Sequence, residues 1–362
     1  MAWPPLLRRI AGDTGETAPA ILTGFALRAS ERACFPQLQA ARQQVTGLAL
    51  MNPPAEAADR IAYFAAGLGY EAAIVNVEIN RRPQSVMIFR PTLENSEFNL
   101  PWAADAWRER WGQLALFAAD EIGQHYWVLP PDMLAQIMTM VLVRAAARVA
   151  AHPGPPKEVR SDLSAERVEI QGQTNRHAGF FLTREYMLRH PHFAGGMSPT
   201  VRREVFVATD AAIVLPYDPL RDRVLLVEQF RMGPFGRGDP HPWMLEPVAG
   251  RIDPGENPEE TAHRECVEEA GLALDRLEHI TSHYCSPGCS TEYFHCYLGL
   301  CDLPDDSAGN GGLDSEDEDI RTHVLPFERA MSLIPSGEAS NGPLILCLMW
   351  LQRERERLRA SA

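Results

Sequence analysis

The sequence predicts a mixed α-β protein of two domains. Three observations carry that expectation. Its 362 residues suffice for two cores, and 45% apolar with 23% charged residues is an ordinary globular composition. Short runs with strand alternation are interleaved with segments of helical period. A Pro/Gly stretch, HPGPPK at His152–Lys157, divides the chain into 1–152 and 153–362.

In the first domain, Ala20–Leu27 and Val45–Met51 read as strands, Ala55–Ala66 as a helix, and Glu71–Ile79 and Ser85–Phe89 as two further strands. Pro101–Ile122 and Pro131–Ala151 are helical patterns, each opened by a proline, with Trp and Leu at core spacing. The apolar stretch Met133–Ala151 is interrupted by Gln136, Arg144 and Arg148, so it reads as a buried helix and not a membrane span. The opening residues, MAWPPLLRRIAGD, lack the apolar core of a secretory signal.

In the second domain, Val168–Gln171, His177–Leu182 and Val201–Thr209 read as strands, with a turn-rich loop at Phe193–Pro199. Ala211–Pro216 and Val224–Gln229 form a hairpin, and Trp243–Glu246 a further strand. Gly342–Ala362 reads as a helix whose charged end, QRERERLR, is expected to be solvated.

The chemistry concentrates in GRIDPGENPEETAHRECVEEAGL, Gly250–Leu272. Asn257, Pro258 and Glu260 supply an N-cap, a first-turn proline and a capping-box carboxylate, and Gly271 a left-handed stop. On the helix between them Glu265, Glu268 and Glu269 share one face, and Ala262, Cys266 and Ala270 form a small apolar stripe. Arg264 stands four residues before Glu268 and can hold it. Like charges at this spacing call for a positive counterpart, and hard oxygen donors suit Mg²⁺, with Mn²⁺ as a substitute. A solvated acidic face is the ordinary meaning of such a cluster, but the glycines and caps agree with a site.

The net charge of −14, with no basic stripe, argues against a nucleic-acid backbone as partner. Seven cysteines without a CxxC pair or zinc spacing point to reduced thiols and a cytoplasmic compartment.

The spacing Gly250, Glu256, Arg264-Glu265, Glu268-Glu269, Gly271 resembles the Nudix box at every constrained position, which implies an α/β/α sandwich for the second domain. Around the box the chain resembles the ADP-ribose pyrophosphatase branch of that family. VLLVEQFR at Val224–Arg231 implies that Arg231 reaches the substrate phosphates or terminal ribose. PWMLEPVAG at Pro242–Gly250 implies that the Ala249 carbonyl binds a metal beside Gly250, with Glu246 close to substrate. Pro287, sixteen residues after Gly271, and Gly288 with it would shape the ribose-phosphate end of the pocket. In DSEDED, Asp314–Asp319, the resemblance makes Glu316 the general base and Glu318 a further metal ligand, with Asp314 and Asp317 as alternatives of register. Glu265 and Glu269 are metal ligands by the same match, and Glu268 binds metal or anchors Arg264. The implied reaction is Mg²⁺-dependent cleavage of a nucleoside diphosphate sugar, ADP-ribose to AMP and ribose 5-phosphate. The alternatives are another nucleotide sugar such as GDP-mannose, or a non-catalytic binding protein. The branch also implies a homodimer.

VTGLALM, a short helix and GLGYEAAIVNVE resemble the γ-glutamylcyclotransferase-like (AIG2-like) fold, a small barrel-type α+β domain. The family's opening Tyr-Gly-Thr-Leu loop is absent, and its catalytic glutamate falls near Ala65 or Ala66, so this domain is expected to be non-catalytic. The missing strand is compatible with a start upstream of Met1. The pairing of the two domains resembles tellurite-resistance Nudix proteins, which implies a stress role.

Overall fold

A computed structural model describes residues 3–91, 96–151, 158–305, 307–312 and 318–361. Two compact units meet between Ala208 and Thr209. The HPGPPK stretch lies outside the described residues.

The first unit opens with α1 (Pro4–Ala11), which the sequence reading had not marked, then β1 (Glu16–Ala29) and β2 (Gln37–Met51), both longer than expected. α2 (Ala55–Gly67), β3 (Tyr70–Ile79), β4 (Arg82–Pro91) and the short β5 (Leu100–Pro101) follow, then α3 (Ala104–His125) and α4 (Pro131–Ala150). The sheet runs β2-β1-β3-β4, with β5 on β1. Alternation sends Ala18, Ala20 and Leu22 of β1 to one face with Val45 and Ala49 of β2, Val75, Val77 and Ile79 of β3, and Val86 of β4. Registers such as Leu22↔Val45 and Val75↔Val86 set these side chains opposite one another. β2 and β4, the two ends of the order, also touch, so the sheet curls around this apolar face.

The helices form a separate core of Leu6, Phe64, Trp107, Trp111, Leu134 and Val141. α4 is long and apolar enough to cross a membrane by composition alone, yet it packs into this core and carries buried Arg144. Arg144 Nη2 lies 2.5 Å from Glu121 on α3, so neither charge is buried unpaired. The unit ends with a separate antiparallel sheet, β6 (Glu169–Ala178), β7 (Leu182–Arg189) and β8 (Val201–Val207). Here the expectation needs correcting. His177–Leu182, read as a strand, contains the turn between β6 and β7, because Gly179 and its neighbours break the ladder.

The second unit is built on β9 (Asp210–Asp218) and β10 (Arg223–Phe230), the expected hairpin, followed by α5 (Met232–Arg237), β11 (Trp243–Glu246), β12 (Val248–Arg251) and α6 (Pro258–Ala270). β13 (Arg276–Tyr284), β14 (Tyr293–Leu300), β15 (Asn310–Gly311), β16 (Ile320–Pro326), α7 (Phe327–Ser336) and α8 (Gly342–Ala360) complete it. The sheet is ordered β13-β14-β9-β10-β16-β15, with β11 on β10 and β12 on β9. Its central strands are apolar on both faces. Ile213, Leu215, Val224, Leu226 and Leu298 face Leu344, Leu348 and Leu351 of α8. Ala212, Val214, Leu225 and Val227 face Ala262 and Cys266 of α6. Helices on both faces of one sheet make the expected α/β/α sandwich. The charged end of α8 does more than face solvent, since Arg355 binds Asp222 and Glu328, and Arg357 binds Glu278.

Candidate active site

The first helix signals are realised as read. Asn257 Oδ1 accepts from the N–H groups of Glu259 and Glu260, and the Glu260 carboxylate accepts from the Asn257 N–H, a complete capping box. Gly271 stops α6 at φ 63°. The buried stripe of Ala262 and Cys266 holds the helix on the sheet, with Glu265 and Glu269 against the backbone of β12.

Arg264 lies at the centre of those carboxylates. Its Nη1 donates to Glu265 at 2.6 Å and Glu268 at 2.9 Å, its Nε to Glu256 at 3.0 Å, and its Nη2 to the Arg251 carbonyl at 3.2 Å. Glu256, a motif residue without an assigned task at the sequence level, therefore has one: with Thr261 it orients the guanidinium. Burial pushes the Glu256 carboxyl up, but the bonds from Arg264 and Thr261 outweigh it and hold it below the ordinary carboxylate range.

Glu269 is turned the other way, 2% exposed, and accepts the Ala249 N–H at 3.1 Å. Gly250 lets the strand approach this closely, because a Cβ there would overlap the Glu265 carboxylate. Burial, with the charges of Glu268 and Glu318, pushes Glu265 up to about 7 despite Arg264. Burial, with the charges of Glu265 and Glu318, pushes Glu269 up to about 8 despite the Ala249 N–H and the positive charge of Arg231. Glu265 and Glu269 thus sit in an excess of negative charge, to which Glu318 contributes.

Just after β10, at the start of α5, Arg231 Nε donates to Glu246 Oε2 of β11 at 2.6 Å. The other Glu246 oxygen accepts from Asn341 Nδ2 at 2.8 Å, and Asn341 also caps α8 by accepting the Leu344 N–H. Nothing in the local sequence signalled that partner, which arrives from 95 residues downstream. Pro287 and Gly288 sit at the exposed tip between β13 and β14, in a turn closed by the Cys289 and Ser290 N–H groups on the Ser286 carbonyl. Glu318 stands at the foot of the acidic loop; Asp314, Glu316 and Asp317 lie outside the described residues.

The donor set suits a hard divalent cation. Glu265 and Glu269 offer carboxylate oxygens beside the Gly250 and Ala249 backbone, Glu318 adds its charge to both, and the raised carboxyls mark a place where positive charge is wanted. Among the described residues no three acidic, His or Cys side chains converge on one point, and the Glu265 carboxylate is bonded to Arg264.

A family model described as "NUDIX domain" matches residues 208–346. The chain is 41% identical over 192 residues to the ADP-ribose pyrophosphatase of Escherichia coli (strain K12), covering 53% of this chain and 91% of that protein. It is 38% identical over 201 residues to the ADP-ribose pyrophosphatase of Haemophilus influenzae, covering 55% of this chain and 92% of that protein. A GDP-mannose pyrophosphatase of Enterobacter sp. (strain 638) is 33% identical over 151 residues, covering 42% of this chain and 78% of that protein. The chain belongs to the Nudix hydrolase family. Its similarity to the first two proteins spans more residues than lie between Thr209 and Ala362, so it reaches back through β7 and β8. Pyrophosphatases of this class generally use a divalent metal.

Proposed function

We propose that the second half of the chain hydrolyses the pyrophosphate of a nucleoside diphosphate sugar, with ADP-ribose preferred and AMP and ribose 5-phosphate as products. The observation that supports this best is the carboxylate set on one side of β12: Glu269 held by the Ala249 N–H, Glu265 against Gly250, and Glu318 within electrostatic reach of both. Glu265, Glu269, Glu318 and the Ala249 carbonyl would hold Mg²⁺, which would supply positive charge against the pyrophosphate. Arg231 orients the phosphates with its planar fork, itself held by Glu246. Arg264 bridges Glu268 and Glu265 through Nη1 and fixes both. Glu316 takes the proton from the attacking water, whose oxygen bonds to phosphorus as the bridging oxygen leaves with the other half of the substrate. Pro287 and Gly288 line the ribose-phosphate end.

The 41% identity to an ADP-ribose pyrophosphatase over 91% of its length favours ADP-ribose; the relative acting on GDP-mannose keeps that nucleotide sugar as the second reading. The test is AMP formation from ADP-ribose and Mg²⁺, beside a panel of nucleotide sugars, with Glu269→Gln as control. An unchanged rate in that variant would remove the site assignment.

The working form proposed is a homodimer. The β6–β8 sheet leaves Ile170, Phe180 and Phe181 exposed, apolar surface of the kind a second copy covers. A monomeric mass in solution would contradict it. The first domain, residues 1–152, is proposed as a non-catalytic binding or assembly module, since Ala65 and Ala66 stand where a general base would be needed. Release of 5-oxoproline from a γ-glutamyl amine would overturn that reading.

A further inference from the structure

The acidic loop is rooted on two described stretches, Gly309–Gly312 before it and Glu318–Thr322 after it. They are zipped together by β15 and β16, with Asn310 opposite Arg321 and Gly311 opposite Ile320. Thr322, 5% exposed, closes the base. Its N–H donates to the Gly309 carbonyl at 2.8 Å, and its Oγ1 accepts the Gly309 N–H at 2.6 Å.

This root lies on the last turn of α6. A helix leaves its final carbonyls without intrahelical partners. The Gly271 stop covers those of Cys266 and Val267. The Glu268 carbonyl instead accepts the Gly312 N–H at 3.3 Å. The approach requires glycine twice. A Cβ at Gly311 would overlap the Glu269 carbonyl oxygen, a backbone atom that cannot turn aside. Gly312 sits at φ +92°, and a Cβ there would stand 2.9 Å from both the Cβ and the carbonyl oxygen of Glu318.

We propose that Gly311, Gly312 and Thr322 form a positioning latch that seats the root of the acidic loop on the end of α6 and so sets where Glu318 stands relative to Glu265 and Glu269. The latch rests on the hydrolase reading above and adds to it a device that aligns one carboxylate with two others from a different element. None of the three residues needs to touch substrate. Side chains on rigid elements hold their geometry, whereas a carboxylate on a loop needs its root fixed, and a misplacement of about 1 Å can cost roughly a hundredfold in rate.

The experiment compares Gly311→Ala, Thr322→Val, Thr322→Ser and Glu318→Gln in the full chain, with ADP-ribose and a Mg²⁺ titration. Gly311→Ala and Thr322→Val are expected to lower kcat by about a hundredfold and to weaken Mg²⁺ binding measured by calorimetry without substrate, with KM for ADP-ribose within about threefold of the parent. Thr322→Ser, which keeps the hydroxyl, should restore both quantities. Should Gly311→Ala fail to fold, the Thr322 pair decides alone, because Val and Ser differ there in the hydroxyl bond to Gly309. Parental kinetics in Thr322→Val, or in a folded Gly311→Ala, while Glu318→Gln loses its rate, would overturn the latch and leave the site reading intact. If Glu318→Gln itself keeps the parental rate, the site reading fails and the latch falls with it.

Discussion

Asn341 donates to the Glu246 carboxylate at 2.8 Å while its own side-chain oxygen caps α8, so one side chain ties the start of the last helix to the residue that holds Arg231. The two tasks can be separated. Asn341→Asp keeps a capping oxygen but turns a carboxylate toward Glu246. It should leave the melting temperature near the parental value and raise KM for ADP-ribose by about tenfold through a displaced Arg231. Asn341→Ala should instead cost about 1 kcal/mol of stability by loss of the cap. Thermal melts beside steady-state kinetics on the two variants check this.

Arg264 should matter for stability as well as for rate. It is the shared partner of Glu256, Glu265 and Glu268, and its side chain is 22% exposed. Arg264→Met keeps the apolar stem but leaves three partly buried carboxylates facing one another. A loss of about 2–3 kcal/mol is expected from the urea midpoint. Arg264→Lys should recover only part of it, because one ammonium cannot serve three directions as a fork does.

Structure is legible in the sequence where a local rule has a local consequence. The α6 caps and the Gly271 stop follow from spacing within one helix. So do the central strands β9 and β10, whose unbroken apolar runs leave no other place but the middle of a sheet. Partners brought together by the fold were invisible. Asn341 reaches Glu246, Arg355 reaches Asp222, and Gly311 meets the end of α6, all across separations that no motif spans. The turn at Gly179 is hidden in the sequence because its neighbours Phe180, Phe181 and Leu182 are apolar enough to pass for a strand, although the backbone reverses there. The helix α1 is short, and its proline pair Pro4-Pro5 reads as loop until a core is available to receive Leu6.

Gly250 allows a test of close approach that does not change any charge. A Cβ at this position would overlap the Glu265 carboxylate, so Gly250→Ala must displace either β12 or Glu265. The expected result is a fall in kcat of about a hundredfold, with the protein still folded by circular dichroism. A parental kcat would mean that Glu265 is free to move aside without consequence, and would remove it from the proposed metal-binding set.

Asp222 provides the pH prediction, away from the site. It accepts from Tyr217 Oη at 2.8 Å and from Arg355 Nε at 2.9 Å, with Arg359 Nη1 at 3.1 Å. Burial pushes its carboxyl up, but the Arg355 and Tyr217 bonds and the two arginine charges outweigh that and hold it below the ordinary range. A carboxyl with a lower pKa in the folded state binds fewer protons there than in the unfolded chain. Its contribution is therefore fully present above the unfolded value of about 3.9, and is lost as pH falls through the folded value. Asp222 adopts a positive φ of 56°, which asparagine tolerates, so Asp222→Asn changes the charge without straining the turn. The variant should be less stable than the parent by a constant margin between about pH 5 and pH 8, and the margin should shrink below about pH 4. Urea unfolding of both proteins across that range is the measurement. A margin that stays constant down to the most acid point would show that Asp222 acts through hydrogen bonding alone, with its carboxylate charge contributing nothing.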